Sequence, residues 1–216
     1  MGASLNRNFR FLFQFMHYHS HLHKDRRLRP LLESIGPLAL RKRRNICNYL
    51  CASIMSQQLS VRVADVIYGR FLDLYGGKQP TAQQILDTAP ERLRAIGLSN
   101  AKVSYVQNVA RFELEHGMSA AKLNKMTDEE VINYLTVIKG VGRWTVEMLL
   151  MFALGREDVF AVDDLGIQQA IAGLYKLDAT DKKKFREDML RLSKKWSPYR
   201  TYACMHLWRW KDKMPI

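Results

Sequence analysis

The chain has 216 residues, 34 of them Lys or Arg against 21 Asp or Glu, giving a formal charge of +13, and 47% are hydrophobic. That length suits one large domain or two small subdomains with a real core, and the charge favours a polyanionic partner, because Lys and Arg displace counterions from phosphates. No apolar run is long enough to span a bilayer, and the three cysteines (Cys47, Cys51 and Cys204) are too few for a disulfide framework and suit a reducing compartment.

Residues 1–25 read as a separate, basic and His-rich head. Residues 1–50 hold ten Lys or Arg and two Asp or Glu, so much of the excess charge lies there and is equally compatible with a solvated tail. The apolar run Phe11–Met16 is short and lacks a small-residue cleavage site, which argues against a signal peptide. Met1-Gly2 lacks Ser or Thr at position 6, against a myristoylation signal. His17, His19, His21 and His23 would share a face on a strand and scatter on a helix; a polar tail is favoured over a metal site.

From Arg29 the pattern is helical. Residues 30–37 form a short helix closed by Gly36-Pro37. Residues 45–75 carry a helical apolar period through Ile46, Leu50, Ile54, Leu59, Val63, Ile67, Phe71 and Leu74, with a polar break at Ser56–Ser60 and a stop at Gly76-Gly77. Cys47 and Cys51, four apart, are packed thiols. Thr81 caps the next helix and Pro90 opens another. Ser99 caps residues 100–116, and Thr127 with Glu130 is a capping box for a helix ending near Val137. Residues 143–154, 164–175, 181–195 and 198–210 complete the set. Alternating strand patterns are absent, and the fold class is all-α.

Two features carry chemistry. The first is Gly140-Val141-Gly142 between two helices. The glycines permit a turn that side chains would obstruct, Val141 packs inside it, and the free N–H groups of the following helix can cradle a phosphate oxygen. A plain helix–helix turn is the alternative. The second is Asp163-Asp164 before an apolar-periodic helix: one of them caps that helix, and the other is either first-turn charge or a carboxylate with a chemical purpose.

Four blocks occur in order: Ser53–Ser60, Ile138–Thr145, Val159–Leu165 and Tyr199–Trp208. In this combination, over roughly residues 25–210, the sequence resembles the helix-hairpin-helix (HhH-GPD) DNA glycosylase superfamily, most closely its 3-methyladenine DNA glycosylase II group. The resemblance implies a two-lobed helical fold with the active-site cleft between lobes. Lobe A spans about 45–155 and lobe B 26–44 plus 156–216, within a glycosylase domain of residues 26–216. The head before Arg26 is too short for the extra β-sheet domain of longer relatives.

It further implies a monofunctional hydrolase of base excision repair that flips an alkylated purine out of duplex DNA and cleaves its N-glycosidic bond. Asp164 is the implied catalytic residue and Asp163 the helix cap. Trp144, Trp208 and Met148 line the implied base pocket, Met148 standing where close relatives carry Tyr. Trp196 and Trp210 stay core aromatics. Lys139, Gly140, Val141, Gly142, Arg143 and Thr145 form the DNA-binding hairpin. Gln58 is the implied wedge that fills the vacated stack, with Leu59 next, although Leu59 also reads as core. Backbone carbonyls of Thr136, Ile138 and Val141 are the implied site of a structural Na, K or Mg ion, and no cofactor is required.

Glycosylase/lyases of the superfamily carry a nucleophilic Lys two residues after the second hairpin glycine. Trp144 stands there, which disfavours a Schiff base and a lyase acting on oxidised bases. The iron–sulfur variant needs four C-terminal cysteines, and only Cys204 is present. Competing readings are a non-catalytic helix-hairpin-helix DNA-binding module and a helical scaffold. The expected partner is damaged double-stranded DNA, with no membrane association. The protein is expected to be a monomer, nucleoid-associated in a bacterial cytoplasm or nuclear in a eukaryote.

Overall fold

The computed structural model describes residues 16–213, and every described element is helical. The Met1-Gly2 start and nearly all of the Phe11–Met16 run lie outside the described residues. Helix α1 covers residues 16–22. It is followed by α2 (Arg29–Ile35), α3 (Ile46–Ser56), α4 (Val61–Asp73), α5 (Ala82–Asp87), α6 (Pro90–Ala95), α7 (Asn100–His116), α8 (Ala120–Leu123), α9 (Asp128–Thr136), α10 (Arg143–Phe152), α11 (Leu165–Tyr175), α12 (Lys182–Ser193) and α13 (Arg200–Lys213), with a 3₁₀ turn at Lys194–Trp196. Among the described residues no helix is long and apolar enough to cross a membrane.

Local chemistry explains most boundaries. Asn45, Ser60, Thr81, Ser99, Ser119, Thr127, Asp164 and Asp181 each accept a backbone N–H of the first turn that follows. Thr81–Gln84 and Thr127–Glu130 close complete capping boxes. The apolar stretch 45–75 is two helices, because the chain turns at Gln57–Ser60 and Ser60 starts a new one. The four-residue helix α8 carries too little periodicity to be read from sequence.

The chain divides into two compact units, one running to Arg41 and resuming at Gly155, the other Lys42–Leu154. In the second unit α7 packs on α3 and α5, and α3 also meets α4 and α10. Leu50, Cys51 and Ile54 from α3, and Val106, Val109 and Ala110 from α7, have no exposed surface. The larger aliphatic side chains among them, Leu50, Ile54, Val106 and Val109, contribute about 1.5–3 kcal/mol each.

In the first unit α11 and α2 pack on α13. Part of the expected free head belongs to this core: Tyr18 and Leu22 are buried. The Tyr18 ring stacks on Tyr202 at 3.9 Å, and its hydroxyl accepts the Leu38 N–H at 2.7 Å. Asp25, half-buried at the edge of the same core, accepts from Tyr175 Oη at 2.8 Å and Trp196 Nε1 at 3.0 Å on one oxygen. Residues from about 16 onward are therefore not a tail. The tyrosine and leucine between the histidines drive them into the core, a signal that the histidine alternation obscured. Trp196 is fully buried, as expected, and Trp210 lies against Gly173 of α11.

Candidate functional site

The hairpin joins α9 to α10. At Gly140 φ is +102°, and a Cβ there would sit 2.2 Å from Cγ of Tyr105. Both the backbone conformation and the tyrosine ring therefore demand glycine. Val141 is buried, and its N–H donates to the Ile138 carbonyl at 2.9 Å.

Gly142 differs from the expectation that both glycines relieve obstruction within the turn. Its φ is −94°, which any residue adopts, and a Cβ would meet nothing within 4 Å. It is the N-cap of α10 without a side-chain cap. Helix α10 thus starts without a side-chain cap from Gly142, and a side chain there would extend into space that no protein atom fills.

The hairpin side chains divide sharply. Lys139 is exposed, its carbonyl accepting from Asn108 Nδ2 at 3.4 Å. Arg143 is not displayed as a free cation: it forms an ion pair with Glu129 and another, at 3.1 Å, with Glu147, whose side chain is 4% exposed. The hydrogen bond from Arg143 holds the Glu129 carboxyl below its usual range. Thr145, at the hairpin's end of α10, is 3% exposed, so its side chain is buried in the protein. Trp144 keeps 44% of its surface exposed. Met148 is buried, and its carbonyl accepts the Tyr49 hydroxyl at 3.1 Å. Burial pushes that hydroxyl up to about 12.

The carboxylate pair lies at the start of α11. Asp164, not Asp163, is the N-cap: its Oδ1 accepts the Ile167 N–H at 2.8 Å. The same oxygen accepts the indole N–H of Trp208 at 2.8 Å. Asp163 points outward and pairs with Arg186 at 3.0 Å. The expected division of labour is thus corrected, because one oxygen of Asp164 does the capping. Gly166 makes room for this, since a Cβ there would lie 3.1 Å from both Asp164 Oδ1 and Trp208 Cδ1.

The segment before the pair is anchored to α13. Thr201 Oγ1 accepts the Val159 N–H at 3.0 Å and donates to the Arg156 carbonyl at 2.7 Å. Arg200 grips Asp158 through Nε at 2.7 Å. Burial raises the Asp158 carboxyl, but hydrogen bonds from Arg200 and Ser197 outweigh it and leave it below its ordinary value. The sequence blocks 159–165 and 199–208 are therefore one structural piece: the second orients the first.

After α3 the chain bends through Gln57 to Gln58, whose φ is +59°, uncommon for a residue with a side chain. Gln58 is exposed and Leu59 is 37% exposed, so Leu59 is not core. Gln57 Nε2 approaches the Gly140 carbonyl at 3.5 Å, and Lys102 Nζ donates to the carbonyls of Met55 and Gln57 at 2.9 and 2.7 Å. Lys102, Tyr105, Gln57 and Gly166 had no sequence signal, because each acts through a neighbour distant in the chain.

Among the described residues no cluster of His, Cys, Asp or Glu is arranged to hold a metal ion. The histidines of the head lie on or just after a helix and share no common point: His21 Nε2 lies 3.0 Å from the Lys195 carbonyl, whereas the rings of His19 and His23 lie 5.3 Å apart and His23 Nε2 is 2.9 Å from Glu33.

Residues 51–195 match the HhH-GPD superfamily base excision DNA repair protein family. DNA-3-methyladenine glycosylase 1 of Schizosaccharomyces pombe is 37% identical over 163 residues, 74% of this chain and 70% of that protein. YfjP of Bacillus subtilis (strain 168) is 33% identical over 171 residues, 76% of this chain but 58% of that protein, so the chain spans less than two thirds of this relative. A solved Schizosaccharomyces pombe 3-methyladenine DNA glycosylase in complex with abasic DNA superposes with a TM-score of 0.79 at 32% identity, covering 89% of this chain and 95% of that one.

Proposed function

The chain belongs to the HhH-GPD superfamily of base excision DNA repair proteins, and from that premise we propose that it is a monofunctional DNA glycosylase that hydrolyses the N-glycosidic bond of an alkylated purine in duplex DNA. The observation that carries this reading is the double clamp on Asp164 Oδ1 by the Ile167 N–H and the Trp208 indole. A structural cap needs one donor from its own helix. A second donor, from an indole 44 residues away, fixes the plane of the carboxylate as well, which is what a stabiliser of charge in a transition state requires.

Breaking the bond builds positive charge on the sugar in an oxocarbenium-like transition state. The Asp164 carboxylate stabilises that charge and orients or deprotonates the attacking water. An N3- or N7-alkylated purine is already cationic, so it leaves without a general acid. The exposed indole of Trp144 attracts such a base by about 0.5–2 kcal/mol, and neutral normal bases gain less. Lesions also unstack more readily than intact pairs.

The N–H groups at the start of α10, reached past Gly142, take a backbone phosphate, and Lys139 adds charge beside them. Gln58 fills the vacated stack, with Leu59 beside it. No Lys occupies the position of Trp144, so the product is an abasic site in an unbroken strand. The carbonyls of Thr136, Ile138 and Val141 bracket the turn between α9 and α10 and are the groups that would hold a structural cation, the Ile138 carbonyl with the lone pair left over from the Val141 N–H. A bound cation would stiffen the hairpin. The protein acts as a monomer wherever its DNA lies, at the nucleoid of a bacterium or in the nucleus of a eukaryote.

The test is excision from duplexes bearing single 3-methyladenine, 7-methylguanine, ethenoadenine or hypoxanthine lesions, with free base and strand nicking scored separately. Wild-type protein releases base without nicking, and Asp164→Asn binds but does not excise. Near-normal excision by Asp164→Asn, or a borohydride-trapped covalent adduct with the wild type, overturns the reading.

A further inference from the structure

Helix α7 carries Lys102, Tyr105 and Asn108 at three-residue spacing, and neighbours at that spacing share a helix face. Each of the three reaches a loop assigned to DNA. Lys102 Nζ donates to the Met55 and Gln57 carbonyls at the end of α3. The Tyr105 ring occupies the space that a Cβ on Gly140 would need. Asn108 Nδ2 donates to the Lys139 carbonyl. Gln57 Nε2, approaching the Gly140 carbonyl at 3.5 Å, links the two loops directly.

We propose that this stripe is a strut, and that Lys102 is the positioning residue that holds the Gln58 wedge ready for insertion. The proposal rests on the wedge reading of residues 58–59. The last carbonyls of a helix have no intrahelical partners, and here one ammonium gathers those of Met55 and Gln57. Gln58, the next residue, is thereby started in a left-handed conformation that side chains rarely adopt. Without the clamp, Gln58 relaxes to ordinary backbone and its side chain leaves the insertion geometry. Burial lowers the pKa of the Lys102 ammonium, which is only partly exposed to solvent.

The experiment uses the full chain and a duplex carrying one 7-methylguanine with 2-aminopurine as its 3′ neighbour, so that fluorescence reports unstacking while base release reports chemistry. Wild type, Gln58→Ala, Leu59→Ala, Lys102→Met, Lys102→Arg and the double variant Lys102→Met/Gln58→Ala are compared, each with a thermal unfolding curve. Lys102→Met is expected to slow the fluorescence step about tenfold, the scale of one lost hydrogen bond to a charged group. Lys102→Arg restores most of the rate. In the Gln58→Ala background, Lys102→Met adds no further slowing, because the group it positions is gone.

A purely structural lysine slows both backgrounds alike, and that result overturns the proposal. So does wild-type unstacking by Lys102→Met when Gln58→Ala is slow. Wild-type unstacking by both Gln58→Ala and Leu59→Ala removes the wedge reading itself, and this proposal with it. If Lys102→Met does not fold, Lys102→Gln, whose shorter uncharged side chain does not reach both carbonyls, takes its place with the same expectations.

Discussion

The indole N–H of Trp208 and the backbone N–H of Ile167 converge on a single oxygen of Asp164, each at 2.8 Å. Trp208→Phe keeps an aromatic ring, though a smaller one, and deletes one donor. Excision is expected to fall about 10–100-fold, the range for losing a hydrogen bond to a charged group, with KM and DNA affinity little changed. A single-turnover assay checks this, and an equal loss in KM would show that Trp208 acts in binding instead.

The two hairpin glycines should separate stability from binding. Gly140→Ala forces an alanine to φ +102° and into the Tyr105 ring, so it should destabilise the protein by about 2–4 kcal/mol. Gly142→Ala meets nothing in the protein and should leave the unfolding midpoint almost unmoved, while a methyl group at the phosphate approach weakens duplex binding. Urea unfolding and fluorescence anisotropy on the two variants test the contrast.

Lys139 and Arg143 should behave oppositely although both flank the turn. Lys139→Ala is expected to weaken binding to any duplex and to reduce the salt slope of log K by about one, leaving stability intact. Arg143→Ala takes the cation away from the buried Glu147 carboxylate and should cost about 2–4 kcal/mol of stability. Titrations at several salt concentrations, paired with denaturant melts, distinguish the two.

Stability should fall as pH drops from 7.5 towards 5. Burial lowers the pKa of His206, outweighing its hydrogen bonds to the Tyr202 and Gly36 carbonyls, and His19 and Arg209 lower it further. Burial and then His23 likewise lower His19, against Glu33. With folded values below the ordinary value of about 6.5, the unfolded chain takes up these protons first. The contribution is complete above about 6.5 and is lost as pH falls through the folded values. Thermal melts should show His19→Gln/His206→Gln with a shallower slope over this window. An unchanged slope would locate the dependence elsewhere.

The sequence alone determined that the chain is helical and where most helices beyond α2 start, though not α1 or α8, because caps and apolar periods act within a few residues. Ser60, Thr81, Ser99, Thr127 and Asp181 need only the next turn to do their work, and Gly140-Val141-Gly142 announces a turn by composition. The helical apolar period at 45–75 was legible too, although only the turn at Gln57–Ser60 made two helices of it. Tertiary structure decided what each side chain does there. Asp163 and Asp164 are chemically identical neighbours; the resemblance pointed to Asp164, but it took the packed structure to show that Asp164 is both the cap and the partner of Trp208, with Asp163 turned to Arg186. Arg143 and Lys139 are equally basic in sequence, but buried Glu147 claims one and leaves the other exposed. Lys102 and Tyr105 were silent because their partners lie 45–47 and 35 residues away along the chain. Charge, period and capping are local properties of a chain; the pairing of a donor with one particular oxygen exists only after distant segments have packed.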